Sequence, residues 1–572
     1  MALKIINTLG SVLIVTSSII VAQESQAKNF ESKFFEALVQ QQVPAKKGTV
    51  QARSLLTEVA DGLNTKEITT VCDPRRFEDS VMDSKISTQD YYQAVKDYFK
   101  RCGSELARNS PLGMFSLIKF SMFEYSILSH PQIKEFVVTL DSGVKVPALL
   151  AMKADSRPRP LVIVRCGVFC SAEASPTVRS YLMQLFDQTP FNVLFLANQT
   201  GIDYIALNRY FTMGGWSEGY ESIEVGRWML EKWEHRKSIS SLHLMGISLG
   251  GNAAVMGAAY NDQFTMESGR RIFNSVAAIC PVVSLKPTLD NLYGSQIVGR
   301  IFNGMTRGQL LEARKYVADI PDLLEDSMIP VRKGMADYIG EMAAVSLQRR
   351  GVASTPQEFF KNNNFFTLKR TVATPLMVWA SKDDMVVDNS VNAAILDGDV
   401  NLSASKNTGV VNLPYGNHCA FNAAYGAAAS AAVMRTFVLN NSPEFRSEYQ
   451  KQKMAWNFGY KKVSPMLEHV GQSWVFSKKS PDVKVRFKYF NWSSEQCYDR
   501  GPWTGDLTCL ETRDYTVPIS ALKAMGARVP RSTAEAQALS REFNTKVEFR
   551  TKSGPLNGTS SSNFHMIWRS GY

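Results

Sequence analysis

Residues 242–253 read Leu-His-Leu-Met-Gly-Ile-Ser-Leu-Gly-Gly-Asn-Ala, and this stretch is the most informative part of the sequence about the fold. The apolar run Leu242–Met245 is typical of a strand, and it leads directly into a Gly-x-Ser-x-Gly pattern at residues 246–250. A helix rich in small residues is predicted to follow at Asn252–Ala259. A tight strand-to-helix turn has no room for side chains two residues either side of its centre, which accounts for the glycines. The turn would raise the Ser248 hydroxyl at a helix N-terminus, where developing negative charge is favoured, so Ser248 is the predicted nucleophile.

Outward from this turn, the chain alternates apolar runs with helical stretches. Leu161–Val164 is a wholly apolar run, typical of a strand buried on both faces, and further strands are predicted at Val193–Ala197, Phe273–Cys280, Pro375–Ala380 and Val410–Leu413. Helices are predicted between them, at Thr177–Gln188 and Gly219–Trp233 among other places, and a strand hairpin at Phe136–Met152 opens the series. The alternation predicts an α/β domain over 131–440, with a mostly parallel sheet and helices on both faces.

A serine hydroxyl needs a base to remove its proton, and the chain has six histidines. In a fold with this turn, the order along the chain is serine, acid, histidine. Three histidines precede the serine, and two others lie beyond the closing helix predicted at 420–438; these five are His130, His235, His243, His469 and His565. His418 lies in a loop between a strand and that helix, and it is therefore the predicted general base.

The third member of such a site orients the imidazole and stabilises its charged form. Residues 379–387 read Trp-Ala-Ser-Lys-Asp-Asp-Met-Val-Val, so a buried strand ends in a turn that carries two acids. Asp384 is the predicted acid, because it precedes the short apolar pair that resumes packing. Asp383 is the alternative, and Asp388 is a more remote one.

The negative charge of a tetrahedral intermediate requires hydrogen-bond donors near the nucleophile. The Leu249 N–H, next after the serine, is one predicted donor. The second should come from the loop at 165–169, with the Val168 N–H preferred and the Phe169 N–H as the alternative. Only main-chain groups are needed, so these side chains are free to vary.

With its Gly-x-Ser-x-Gly turn, acid turn and late histidine in this order, the stretch from about 135 to 440 resembles the α/β-hydrolase superfamily. Trp379–Val387 and a helical insertion give a narrower resemblance to its esterase-like members. The resemblance implies acyl transfer to water, in which Ser248 attacks an ester, thioester or amide and the acyl-enzyme is then hydrolysed. It implies neither a metal nor an organic cofactor. Many members carry His-Gly-x where this chain has Cys166-Gly167-Val168, and that departure leaves the substrate class open.

The rest of the 572 residues divides around this domain. Residues 28–130 are predicted to be a helical extension, and about 285–370 a helical insertion forming a lid. Its apolar residues suit an acyl pocket or a packed core equally; they are Tyr293, Ile297, Ile301, Phe302 and Met305. Residues 441–572 are predicted to be a linker and a small basic β domain, with strands at Val483–Phe490, Asp514–Pro518, Lys546–Arg550 and Met566–Arg569.

The N-terminus predicts export. Lys4, the apolar run Ile5–Val21 and the small-residue site Ser25–Ala27 are typical of a signal peptide over 1–27, with an uncleaved membrane anchor as the alternative. After cleavage no transmembrane span is expected, and the protein should be periplasmic or secreted. Eight cysteines, an even number, agree with an oxidising compartment. The predicted disulfides are Cys497–Cys509, Cys72–Cys102 and Cys280–Cys419, with buried free thiols an open alternative at the last pair and at Cys166 and Cys170.

Composition and charge limit the class of protein and the kinds of binding partner that are expected. With 45% hydrophobic and 20% charged residues, the chain is neither largely disordered nor a multi-span membrane protein. Residues 441–572 carry 20 Lys and Arg against 12 Asp and Glu, so most of the net charge of +11 lies there. This module could bind an acidic cell-surface polymer or anionic lipid, or have an evenly solvated basic surface. No pattern indicates nucleic acid, and the expected substrate is a small-molecule or lipid acyl compound. A catalytically idle binding protein and a serine peptidase are the alternatives.

Overall fold

The computed structural model describes most of the chain between residues 71 and 550. The described residues are 46–47, 51–52, 71–82, 86–107, 132–153, 157–171, 181–182, 184–186, 189–317, 323–331, 333–348, 355–368, 372–398, 406–425, 427–451, 467–478, 480–491, 510–524, 529–542 and 546–550. The predicted signal peptide, the Cys497–Cys509 pair and the predicted strand Met566–Arg569 lie outside them. The chain forms two compact units, a larger one over 64–121 and 131–461, and a smaller one over 1–63, 122–130 and 462–572.

The larger unit is built on an eight-stranded sheet. Its strands are β1 (Ile133–Thr139), β2 (Lys145–Ala151), β3 (Arg159–Arg165), β4 (Asn192–Leu196), β5 (Ile239–Ile247), β6 (Ser275–Ile279), β7 (Leu376–Ser381) and β8 (Thr408–Leu413). They lie in the order β1-β2-β4-β3-β5-β6-β7-β8, and pairing is antiparallel between β1, β2 and β4 and parallel from β4 to β8. The predicted mostly parallel sheet is therefore confirmed.

Helices cover both faces of this sheet. Those of the larger unit are α1 (Pro74–Met82), α2 (Thr88–Leu106), α3 (Ile202–Asn208), α4 (Gly215–Glu231), α5 (Leu249–Ser268), α6 (Leu285–Gly294), α7 (Val298–Ala313), α8 (Met335–Gln348), α9 (Pro356–Asn362), α10 (Ala393–Gly398), α11 (Phe421–Tyr425), α12 (Ala427–Asn440) and α13 (Pro443–Lys451). Successive residues of a strand point to opposite faces. On β5, Leu244 packs on Gly257 of α5, whereas His243 bonds the hydroxyl of Ser442, between α12 and α13, at 2.8 Å.

Helices α1 and α2, within the predicted helical extension, pack inside the larger unit. The predicted Cys72–Cys102 disulfide joins the turn before α1 to α2. Glu78 of α1 forms a buried ion pair with Arg435 of α12, and the Tyr91 hydroxyl of α2 donates to the Val433 carbonyl at 2.6 Å. The prediction of a wholly helical stretch is wrong at residues 46–47 and 51–52, which are short strands paired with the sheet of the smaller unit.

The insertion between β6 and β7 is helical, as predicted, and consists of α6 to α9. Its buried apolar residues form one cluster, which includes Leu289, Leu310 and Met342 and extends to Leu249 at the start of α5. The partly buried Val168 packs against the same cluster. Of the predicted acyl-pocket residues, Tyr293 is buried, but Ile297 and Met305 are 55% and 50% exposed. Among the described residues, no helix is long and apolar enough to cross a membrane.

The smaller unit is mainly a sheet. Its longer strands are β9 (Leu467–Ser477), β10 (Asp482–Asn491), β11 (Leu510–Pro518) and β12 (Lys546–Arg550), in the order β11-β10-β9-β12, with helices α14 (Ile519–Ala524) and α15 (Thr533–Glu542). Three of the four predicted strands are present, and β9 was not predicted because polar residues interrupt its alternation. The start of the predicted linker is wrong, because α13 at Pro443–Lys451 belongs to the larger unit.

Candidate active site

Ser248 occupies the turn between β5 and α5, in a backbone conformation that non-glycine residues rarely adopt, with φ 59° and ψ −119°. A Cβ atom on Gly246 would lie 1.8 Å from the Gly250 carbonyl oxygen, and one on Gly250 would lie 2.4 Å from the Arg165 carbonyl oxygen. Both glycines are therefore required by close approach of the backbone. The strained turn holds the Ser248 hydroxyl at the carboxyl end of the sheet, beside the N-terminus of α5.

The structure brings the three predicted side chains together. His418 Nε2 lies 2.8 Å from Ser248 Oγ, and His418 Nδ1 lies 2.9 Å from Asp384 Oδ2. The other carboxylate oxygen, Asp384 Oδ1, accepts hydrogen bonds from the N–H groups of Val386 and Val387, both at 2.8 Å. These bonds fix the carboxylate against the imidazole. The side chains of His418 and Asp384 are 13% and 3% exposed, so little water competes for the contact.

The two alternative acids have other partners. Asp383 Oδ1 accepts a hydrogen bond from the Asn417 N–H at 2.8 Å, one residue before the histidine. Asp388 caps a short helical turn by accepting from the Ser390 N–H at 2.8 Å. The geometry therefore favours Asp384 and assigns Asp383 to the support of the histidine loop.

The loop after β3 lies against Ser248. A Cβ atom on Gly167 would lie 3.1 Å from Ser248 Cβ, so the next N–H, that of Val168, is near the serine. The Phe169 N–H donates to Thr200 Oγ1 at 2.6 Å and is already used. Among the residues that the structure describes, the N–H groups of Val168 and Leu249 have no acceptor within the chain. They are available for an oxyanion.

Residues that sequence reasoning missed support this loop. The Asn198 side chain donates to the Cys166 carbonyl at 3.2 Å and to the Glu218 carboxylate at 3.1 Å, and its own oxygen accepts from the Thr200 hydroxyl at 2.5 Å. Burial, the largest effect, raises the pKa of Glu218 to about 8, although Arg165 opposes it. Asn198 and Thr200 follow β4 directly, and their place at the carboxyl end of a parallel strand was the available signal.

The residues beside the histidine also meet the distance criterion for a metal site. The side-chain ligand atoms of Cys280, His418 and Cys419 lie within 4.8 Å of one another. The two cysteines form a disulfide, however, so neither offers a thiolate. The imidazole nitrogen that faces them is the one bonded to Ser248. Cys280 and Cys419 therefore form a covalent link beside His418, and the three residues are not a set of metal ligands.

A strained Gly-x-Ser-x-Gly turn between a strand and a helix, on a mostly parallel sheet, is the nucleophile elbow of a known architecture. The chain has the α/β-hydrolase fold. Its match to a hyperthermophilic esterase from Pyrobaculum calidifontis has 15% identity and a TM-score of 0.37, covering 64% of this chain and 97% of that one. The match to Est1E from Butyrivibrio proteoclasticus has 14% identity and a TM-score of 0.32, and it covers 54% of this chain and 98% of that one.

A third similar structure is dipeptidyl peptidase 4 of Porphyromonas gingivalis, with 13% identity and a TM-score of 0.30, covering 52% of this chain and 33% of that one. No protein-family model and no curated protein matches the sequence. Within this α/β-hydrolase fold, the apolar cluster of the insertion between β6 and β7 includes Leu249, the residue after Ser248, and the partly buried Val168 packs against the same cluster. Ser248 itself is only 8% exposed.

Proposed function

We propose that the protein is a serine hydrolase in which Ser248 is the nucleophile, His418 the general base and Asp384 the acid that orients it. The observation that carries the proposal is the continuous contact from Asp384 Oδ2 to His418 Nδ1 and from His418 Nε2 to Ser248 Oγ, at 2.9 and 2.8 Å. A Ser–His–Asp set with these contacts has the geometry needed to activate a hydroxyl.

The proposed reaction proceeds in two halves. Ser248 Oγ attacks the carbonyl carbon of the substrate while its proton passes to His418 Nε2, and the carbonyl oxygen becomes an oxyanion bound by the N–H groups of Leu249 and Val168. The intermediate collapses as His418 protonates the leaving group, which leaves an acyl group on Ser248. A water molecule, deprotonated by His418, then attacks the acyl carbon, and a second collapse releases the acid and restores the serine.

Esters are the proposed substrates, with thioesters and amides as further members of the same reaction class. An alkoxide leaves more readily than an amide anion, so an ester depends less than an amide on proton transfer from the protonated His418 to its leaving group. The apolar insertion above Ser248 supports an acyl compound with an apolar chain, whether a small molecule or a lipid. The peptidase alternative requires the same three residues and differs only in the substrate.

Hydrolysis of p-nitrophenyl acetate by the purified full chain tests this function. We expect S248A and H418A to lose at least about 10³-fold in kcat. The matched control is H235A, because His235 is an exposed histidine of the same unit, and it should retain wild-type activity. Equal rates for S248A and wild type would contradict the proposal and favour the idle binding protein.

We also propose that the protein acts in the periplasm or after secretion. Support comes from three disulfides among the described residues, Cys72–Cys102, Cys166–Cys170 and Cys280–Cys419. Fractionation of producing cells tests this: the mature protein should leave the cytoplasm with its N-terminus at residue 23 or 28. Recovery of the full-length chain from the cytoplasm would contradict it.

An acidic cell-surface polymer is the proposed partner of the smaller unit. Lys484, Arg486 and Lys488 occupy alternate positions of β10, which share one face of a strand, and Lys484 is exposed. The triple variant K484E/R486E/K488E of the full chain should lose retention on an acidic polysaccharide while keeping its activity toward p-nitrophenyl acetate. If the triple variant were retained as well as the wild type, the proposal of an acidic polymer as the partner would be contradicted.

A further inference from the structure

The Cys280–Cys419 disulfide joins two places that matter for the proposed reaction. Cys280 is the residue directly after β6, and Cys419 is the residue directly after His418. Both cysteines are buried, with 2% of their surface exposed. The bond therefore attaches the base loop covalently to the end of a central strand, across 139 residues of sequence.

The end of β6 in turn holds the backbone of the nucleophile. The Ser248 N–H donates to the Ile279 carbonyl at 2.9 Å, and the Val282 N–H donates to the Ser248 carbonyl at 3.2 Å. Cys280 thus lies between two residues that bond the serine directly. A single covalent bond connects this segment to the neighbour of His418, so it couples the positions of base and nucleophile.

The same segment is bonded to the strand that delivers the acid. The Cys280 N–H donates to the Trp379 carbonyl at 2.6 Å, and Trp379 belongs to β7, which ends shortly before Asp384. The disulfide therefore lies where the structural supports of Ser248, Asp384 and His418 meet.

The backbone at both cysteines is strained. Cys280 has φ 43° and Cys419 has φ 57°, and Asn417 on the other side of the histidine has φ 41°. Non-glycine residues keep left-handed conformations only where their surroundings hold them. A disulfide between two such residues is one of the constraints that can do so.

We propose that the Cys280–Cys419 disulfide is a positioning element for the general base, which sets the reactivity of Ser248. This inference rests on the proposed function. Hydrogen bonds also hold the loop, from the Tyr181 hydroxyl to the Cys419 carbonyl at 2.7 Å and from the Ser381 hydroxyl to the Asn417 carbonyl at 2.6 Å. Because of these hydrogen bonds, the loop stays folded when the disulfide is lost. Without the disulfide, however, the imidazole is no longer fixed at its bonding distance to Ser248 and is displaced from it.

The test compares two disulfide deletions in the full chain, C280A/C419A and C72A/C102A. The second pair is the matched control, because Cys72–Cys102 is another buried disulfide of the larger unit and joins the turn before α1 to α2, and neither cysteine belongs to the elbow or to the His418 loop. The melting temperature of each variant is measured first. The kcat and KM for p-nitrophenyl acetate and the rate of labelling by a fluorophosphonate are then measured well below it.

We expect C280A/C419A to lose about 10- to 100-fold in kcat and in labelling rate, since a displacement of about 1 Å can cost that much. Its KM should stay within about twofold, because neither cysteine belongs to the helices α6 to α9 of the insertion. C72A/C102A should lose thermal stability and keep its kcat. A wild-type kcat for folded C280A/C419A, or equal losses in both variants, would overturn the inference. An inactive wild type with intact disulfides would instead refute the proposed function.

If C280A/C419A does not fold, chemical reduction gives the same comparison. A phosphine such as TCEP transfers two electrons to the disulfide, which yields two thiols while water supplies the phosphine oxide oxygen and two protons. In the wild type, mass spectrometry of alkylated peptides reports which disulfides are reduced at each time, so labelling can be compared before and after the reduction of Cys280–Cys419. Loss of labelling on reduction and recovery on reoxidation would support the inference. Unchanged labelling after complete reduction would overturn it.

Discussion

Asp384 Oδ2 lies 2.9 Å from His418 Nδ1, although its sequence neighbour Asp383 is the same kind of residue in the same turn. Asp383 instead accepts a hydrogen bond from the Asn417 N–H at 2.8 Å. Two adjacent carboxylates therefore have separate tasks, and isosteric amide substitutions separate them.

The variant D384N should lose about 10³- to 10⁴-fold in kcat, because an amide in this position favours the wrong tautomer of the imidazole and leaves its charged form unstabilised. D383N keeps an oxygen that can accept from Asn417, so it should lose less than about tenfold. The measurement is kcat for p-nitrophenyl acetate in both variants. If D383N were the more damaged of the two, the acid would be misassigned.

Thr200 positions the oxyanion loop by accepting the Phe169 N–H at 2.6 Å. T200V removes this acceptor and leaves a main-chain donor unsatisfied, so kcat should fall by about tenfold with little change in KM. T200S preserves the hydroxyl and is the matched control. Equal kcat values for T200V and T200S would show that the loop does not need this bond.

The buried Glu218 is expected to make the free energy of unfolding depend on pH. Burial raises its pKa to about 8 in the folded chain, above its value of about 4.3 in an unfolded chain. Between these values the folded state binds more protons than the unfolded state, so its contribution to the free energy of unfolding falls as pH rises from about 4 to 8. Thermal melts of wild type and E218Q across pH 5 to 9 measure this. Relative to E218Q, the wild type should lose stability with rising pH, and parallel curves would contradict the prediction.

The buried ion pair between Glu78 and Arg435 fastens α1 to α12, with Arg435 Nε 3.1 Å from Glu78 Oε1. E78A removes the carboxylate that Arg435 Nε and Nη2 contact while the guanidinium stays largely buried, so it should cost about 3–5 kcal/mol in the free energy of unfolding. The control is D141A, which breaks an exposed pair with Lys232 and should change stability little. Denaturant titrations of both variants provide the comparison. Equal effects would show that α1 does not contribute to this unit through the pair.

The elbow and the strands around it could be predicted from the sequence because their determinants are local. Gly246 and Gly250 flank the serine within one pentapeptide, and buried parallel strands appear as short apolar runs. The order of serine, acid and histidine then reduced six histidines to one. The structure brings this histidine and the preferred acid to the serine.

Long-range contacts account for what the sequence did not predict. Their place directly after β4 marks Asn198 and Thr200 as residues at the carboxyl end of the sheet, but it does not show that Asn198 bonds Cys166, 32 positions earlier, or that Thr200 accepts from Phe169. Residues 46–47 lack any strand pattern because they are too few, and they pair with β11 far along the chain. Ile297 and Met305 carry apolar side chains at helical spacing, but only tertiary packing decides that they face outward.

Covalent labelling by a fluorophosphonate, with the adduct located by peptide mass spectrometry, is the decisive test of whether His418 activates Ser248. We expect one adduct on wild type, located at Ser248, and none on S248A or H418A at the same reagent concentration and time. An adduct on another serine, or equal labelling of wild type and H418A, would contradict the activation of Ser248 by His418.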